Sequence, residues 1–198
     1  MQDEIAIITH PREVDDINGS RVRTLEKLSG LEVLVLTNSG DDFEASPDYE
    51  VVRPLIAEDK GNVFRSFDGR LNSGKARHIV ESYDRISLFG GCLDICHYIT
   101  YKSIVNAFKE SSKKALTIKF FLDGIFNDYF QHGDNVFHLN AILDFNGNAR
   151  QNRAREQAVS EMFEKYTSYL ESVGINCTLA YNGKSLYRDS QETDKTIN

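Results

Sequence analysis

An apolar run that stops at a pair of glycines constrains this chain more than any other feature. Residues 85–89 read Arg-Ile-Ser-Leu-Phe, and Gly90-Gly91 follow. Ile95, Ile99, Ile104, Val105 and Phe108 then recur at steps that fit one helix face. The spacing predicts a strand, a tight turn and a helix in direct succession. Cys96 falls at or just before the start of that helix. A helix N-terminus exposes free N–H groups and the positive end of the peptide dipoles. Both favour thiolate over thiol, and both would stabilise an oxyanion beside the sulfur. The layout therefore suits a nucleophile, as the strand-to-helix elbow does for serine. A buried structural cysteine fits the same spacing, since cysteine is often buried and such turns take glycine for steric reasons alone.

The rest of the chain repeats the strand-to-helix alternation. Ile5–Thr9 and Glu32–Thr37 are nearly unbroken apolar runs, as buried parallel strands are. His10-Pro11 ends the first, and Asn38 to Asp42 turns after the second. Tyr49–Leu55 reads as a short third strand stopped by Pro54, and Ala115–Leu122 as a fifth ending at Asp123-Gly124. Helices are predicted over Ser20–Leu28 with Gly30 as stop, over Ser73–Ser82 with Ser73 as N-cap, and over Glu156–Val173 with Gly174 as stop. Ile175–Tyr181, with Cys177 in the core, is the last strand, and 190–198 is a polar tail. The expected architecture is a three-layer α/β/α fold on a mainly parallel sheet, one domain over 1–189. In such sheets, functional groups gather at the C-terminal strand ends.

Composition narrows the class. With 198 residues, 40% of them hydrophobic, the chain can bury one sizeable core. A net charge of −7 argues against a dedicated nucleic-acid surface. No apolar run approaches the ~20 residues of a membrane helix, and Gln2-Asp3-Glu4 does not open a signal peptide. Three cysteines without a secretory signal point to reduced thiols and a cytoplasmic setting. Cys92 and Cys96 are the one close pair, which leaves a zinc or iron–sulfur site poorly supported. Residues 125–155 are aromatic-rich, and Asn140–Phe145 is a candidate extra strand. The segment is expected to be a lid or an oligomer contact. Arg150, Arg153 and Arg155 are read as a solvated helix face rather than an anion site.

Gly91-Cys92-Leu93-Asp94-Ile95-Cys96, with the later Leu122-Asp123-Gly124, resembles the isochorismatase-like cysteine hydrolases. In that family a Thr/Val-Asp-x-Cys step carries the nucleophile, which maps to Cys96. The resemblance implies an oxyanion hole from the N–H groups of Cys92 and Cys96, and a lysine supporting the thiolate, which maps to Lys60. It also implies a general base at the end of the first strand. The family has an aspartate there and this chain has His10. A histidine can take a thiol proton. Asp15 or Asp16 could supply a carboxylate through a shifted register, and His10 is otherwise a hydrogen-bonded turn residue. Ser66-Phe67 fits the family's Ser-x-Phe step loosely. Phe67, Asp123 and Phe126 are the expected substrate contacts, although Asp123 is an anchor in the family rather than a catalyst.

Nicotinamidase members bind a metal through an Asp-x-His after the second strand. Here Asp41-Asp42-Phe43-Glu44 stands there with no histidine before His78, so no metal and no cofactor are expected. The function implied is hydrolysis of a small-molecule amide or ester by a cytoplasmic homo-oligomer with no nucleic-acid or membrane partner. The departure at His10 supports an alternative, an inactive protein of the same fold serving in binding or assembly. A phosphate-binding turn at Gly90-Gly91 is a third reading, weakened by the lack of a Gly-x-Gly-x-x-Gly run.

Overall fold

The computed structural model describes residues 3–11, 28, 30–37, 49, 52–53, 63–91, 96–127, 137–138, 149–181 and 184–185. Its strands are β1 (Glu4–Thr9), β2 (Glu32–Thr37), β3 (Val63–Arg65), β4 (Arg85–Gly90), β5 (Thr117–Asn127), β6 (Phe137–His138), β7 (Asn176–Tyr181) and β8 (Lys184–Ser185). The helices whose bounds fall among the described residues are α1 (Ser73–Ser82), α2 (Tyr98–Glu110) and α3 (Ala149–Ser172). The sheet order is β3-β2-β1-β4-β5-β7-β8, with β6 paired to β5. Every pairing from β3 across to β7 is parallel; β6 and β8 add antiparallel edges.

The apolar runs become central strands because both their faces are covered. Side chains alternate across a strand with period two. Ile5 and Ile7 of β1 therefore join Leu34, Leu36, Ile86 and Leu88 in the core beneath the three helices. Ala6 and Ile8 join Val33, Val35 and Phe89 on the opposite face, where helical Leu28 and Val52 pack. Helices thus lie on both sides of the sheet. In α3, Val159, Phe163, Tyr166 and Leu170 recur at helical spacing and are all buried. Gly174 ends the helix as expected, with φ 81° and Ile175 N–H donating to Leu170 O. No helix among the described residues is long and apolar enough to cross a membrane.

Three expectations need correction. Tyr49–Leu55 is not the third strand. Tyr49 and Val52 are helical, Arg53 N–H donates to Tyr49 O at 2.7 Å, and β3 lies later, at Val63–Arg65. Val52 there is buried on a helix face that packs against the sheet, not in a strand. The N-cap of α1 is Asn72, not Ser73; its Oδ1 accepts from Lys75 N–H at 2.8 Å. Strand β5 also does not stop at Leu122. It runs on to Asn127, because four of its residues, Phe121 to Gly124, lie opposite Phe89 alone before Gly90 pairs with Ile125. The suggested strand at Asn140–Phe145, most of the Ser20–Leu28 helix and the 190–198 tail lie outside the described residues.

Candidate active site

The strand order places the crevice of this sheet. The chain moves from β1 outward to β2 and β3, then returns to β4 on the other side of β1. Open parallel sheets hold ligands at such a switch point, beyond the C-terminal strand ends. Here those ends are Thr9-His10 and Gly90-Gly91. Gly91 N–H donates to Thr9 O at 2.9 Å, so the two ends are tied together.

His10 stands at this point with φ 45°, a left-handed conformation uncommon outside glycine. Its amide donates to Leu36 O at 2.7 Å, which bends the chain over the end of β2. The ring is buried, and Nε2 lies 2.8 Å from Ser66 O. A carbonyl only accepts, so Nε2 carries a proton. In the neutral ring the basic lone pair is then on Nδ1.

Ser66 opens a turn that reaches Arg70. Its amide donates to Thr37 O at 2.8 Å, and its hydroxyl donates to Arg70 O at 2.9 Å. Gly69 within the turn has φ 79° and lies so close to α2 that a Cβ would sit 2.5 Å from Cys96 O. Phe67 projects from the same turn and is 85% exposed.

Cys96 and His97 form a wider, π-type turn that leads into α2. Cys96 is half-buried and forms no disulfide among the described residues. Thr100 Oγ1, one turn on, lies 3.0 Å from Cys96 O, 2.7 Å from Gly69 O and 2.9 Å from Thr9 Oγ1. His97 is buried against the ring of Phe120, with centroids 5.6 Å apart. Neither of its ring nitrogens has a partner among the described residues. Burial pulls its pKa down to about 3, so the imidazole is neutral at ordinary pH.

The structure thus brings His10, the Phe67 turn and the Cys96 helix start to one sheet edge. Asp123 lies in the bulged part of β5 at that edge, and Phe126 is further on, paired with His138 of β6. Lys60, Cys92, Asp15 and Asp16 lie outside the described residues. A cavity of about 460 Å³ opens between α1 and α2 beside Arg70, Tyr98 and Lys102; neither His10 nor Cys96 lines it. Arg150 and Arg153 are exposed on α3, as a solvated helix face requires. Thr9, Gly69, His97 and Thr100 were not singled out in the sequence. Asp68-Gly69 is a turn signal that could have marked the loop. A lone hydroxyl or imidazole inside a helical pattern carries no such signal.

No family model matches the chain, and no curated protein matches it. Solved structures do. An isochorismatase from Pseudomonas putida KT2440 aligns with a TM-score of 0.50 at 9% identity, over 89% of this chain and 87% of that one. A nicotinamidase from Staphylococcus aureus aligns at 0.44 and 12% identity, over 89% and 99% of the two chains. A nicotinamidase from Bacillus subtilis aligns at 0.48 and 12% identity, over 88% and 98%. At these identities the likeness is one of fold, and the helix-flanked, mainly parallel sheet described above is the isochorismatase-like α/β fold.

Proposed function

We propose that the protein is a cysteine hydrolase acting on a small amide or ester. The observation that carries this reading is the meeting of His10 and the Cys96 helix start at the switch point, linked through the Ser66–Arg70 turn.

The reaction runs in two halves. Cys96 Sγ attacks the acyl carbon while its proton passes to His10 Nδ1. The positive end of α2 favours the sulfur anion. The N–H groups of Cys92 and Cys96 hold the oxyanion. The C–N or C–O bond breaks as the leaving amine or alcohol takes the proton from His10. Water then attacks the thioester, gives its proton to His10, and the carboxylic acid leaves as Cys96 regains a proton. Lys60 supports the thiolate. Phe67 offers an apolar surface to the substrate, and Asp123 and Phe126 contribute at the β5 side. We also assign a cytoplasmic setting and a homo-oligomer joined through part of 125–155.

A second reading has one observation in its favour. His10 is buried and bonded to a backbone carbonyl, as a purely structural histidine is. The protein would then keep the fold for binding or assembly alone. A panel of small amides and esters separates the two. The hydrolase reading requires turnover of at least one compound, a mass adduct on Cys96, and loss of both in Cys96→Ala. No turnover across the panel favours the binding reading, and turnover unchanged in that variant removes Cys96 as the nucleophile.

A further inference from the structure

We infer that Thr100 is a positioning residue: with Thr9 it forms a hydroxyl latch that sets Cys96 against the strand end carrying His10. The inference rests on the hydrolase reading and adds a residue pair to it.

The direction of the latch follows from proton counting. Thr100 Oγ1 has one proton and faces two carbonyls, Gly69 O at 2.7 Å and Cys96 O at 3.0 Å. Carbonyls cannot donate, so that proton points to them, with the shorter contact taking the larger share. The 2.9 Å contact with Thr9 must then run the other way, from the Thr9 hydroxyl to Thr100 Oγ1. Both threonines are buried, at 1% and 0% exposure, so water does not replace a lost partner.

The latch closes a ring. Thr9 is bonded through the chain to His10, and His10 Nε2–H donates to Ser66 O. Ser66 leads through the turn to Gly69, whose carbonyl accepts from Thr100. Thr100 returns to Thr9. Three segments distant in sequence are thereby locked in one arrangement, and Cys96 rides on the member that Thr100 anchors. A helical threonine that bonds back to residue i−4 slightly weakens its own helix. Helix stability alone therefore does not account for a hydroxyl here, whereas holding the helix start to β1 does.

The test is Thr100→Val, which keeps the shape and removes the hydroxyl, with Thr100→Ser as rescue. The full chain is alkylated with iodoacetamide across pH 5–10, and Cys96 is quantified by peptide mass spectrometry with Cys177 as internal control. Near-ultraviolet circular dichroism reports folding. A displacement of reacting groups on the ångström scale costs up to about 100-fold. We expect Thr100→Val to lose about 10-fold or more in Cys96 reactivity at neutral pH, with a profile shifted to higher pH. Thr100→Ser should return it to within about threefold. Thr9→Val leaves the Gly69 bond in place and should show the same change at smaller size. A folded Thr100→Val variant with the unchanged profile overturns the inference and leaves the hydrolase reading standing. A wild-type Cys96 no faster than a free thiol overturns both. If Thr100→Val and Thr9→Val both fail to fold, the pair is structural and the inference is overturned.

Discussion

The carbonyl oxygen of Thr9 occupies the space that a side chain at position 90 would need: a Cβ on Gly90 would lie 2.0 Å from it. Gly90 also has φ 92°, so any larger residue meets backbone strain and a backbone clash together. Gly30 has φ 84° with nothing within 4 Å and serves as a control. Gly30→Ala should cost about 1–2 kcal/mol, the strain alone. Gly90→Ala should cost at least about 3 kcal/mol, in the range reserved for core disruption. Urea denaturation midpoints of the two variants check this.

His97 makes the fold acid-sensitive. Its pKa lies at about 3 in the folded chain against an ordinary 6.5. Between those values the unfolded chain binds the proton and the folded chain does not. The stabilising contribution is therefore complete above the ordinary value and is lost as pH falls toward 3. The slope from this one group approaches about 1.4 kcal/mol per pH unit in that window. His97→Phe removes the titration, and denaturation from pH 7 down to pH 4 should show a shallower fall for the variant than for the wild type.

Cys177 should resist alkylation in the folded protein. Burial, with Glu171 adding to it, pushes its thiol up to about 12. At pH 8 it should react at least about 100-fold more slowly than free cysteine, because only the thiolate is nucleophilic. Time-resolved peptide mass spectrometry measures this directly, and unfolding in urea should abolish the difference.

His10→Asn tests the base without disturbing the bend. Asparagine tolerates the left-handed region better than other residues with a side chain. The variant should fold with a melting temperature close to wild type and lose about 100-fold or more in kcat/KM, the usual contribution of a general base. An unchanged kcat/KM would move the base to Asp15, Asp16 or another group.

Phe67 is 85% exposed, so Phe67→Ala should leave stability within about 0.5 kcal/mol of wild type. If it contacts substrate, KM should rise several-fold with little change in kcat. Steady-state kinetics on the best substrate of the panel separates the two parameters.

Periodicity made the frame legible. The boundaries of Glu32–Thr37 and Ser73–Ser82 are legible in the sequence as they stand, and those of Arg85–Gly90 to within a residue. Buried parallel strands and capped helices write their positions into consecutive residues. The third strand is not legible because β3 is three residues long and half-exposed, while the stronger apolar signal lies at Tyr49–Leu55, where Tyr49 and Val52 are helical. The hairpin of β7 and β8 was also missed, although Asn182-Gly183 between them is a standard hairpin signal. The candidate site was legible as strand ends: His10 and Cys96 follow β1 and β4 in sequence. What joins them was not. Thr100 and Thr9 become partners only once two strand ends are neighbours, a relation that local pattern does not carry.

The ring through His10, Ser66, Gly69, Thr100 and Thr9 has a kinetic consequence. Its three closures span 56, 31 and 91 positions along the chain. Contacts between residues so far apart form only after the intervening chain has given up its freedom, and they slow folding. No short fragment can therefore present this arrangement. A nascent or clipped chain carries the thiol without its surroundings, and chemistry at Cys96 becomes a reporter of completed assembly.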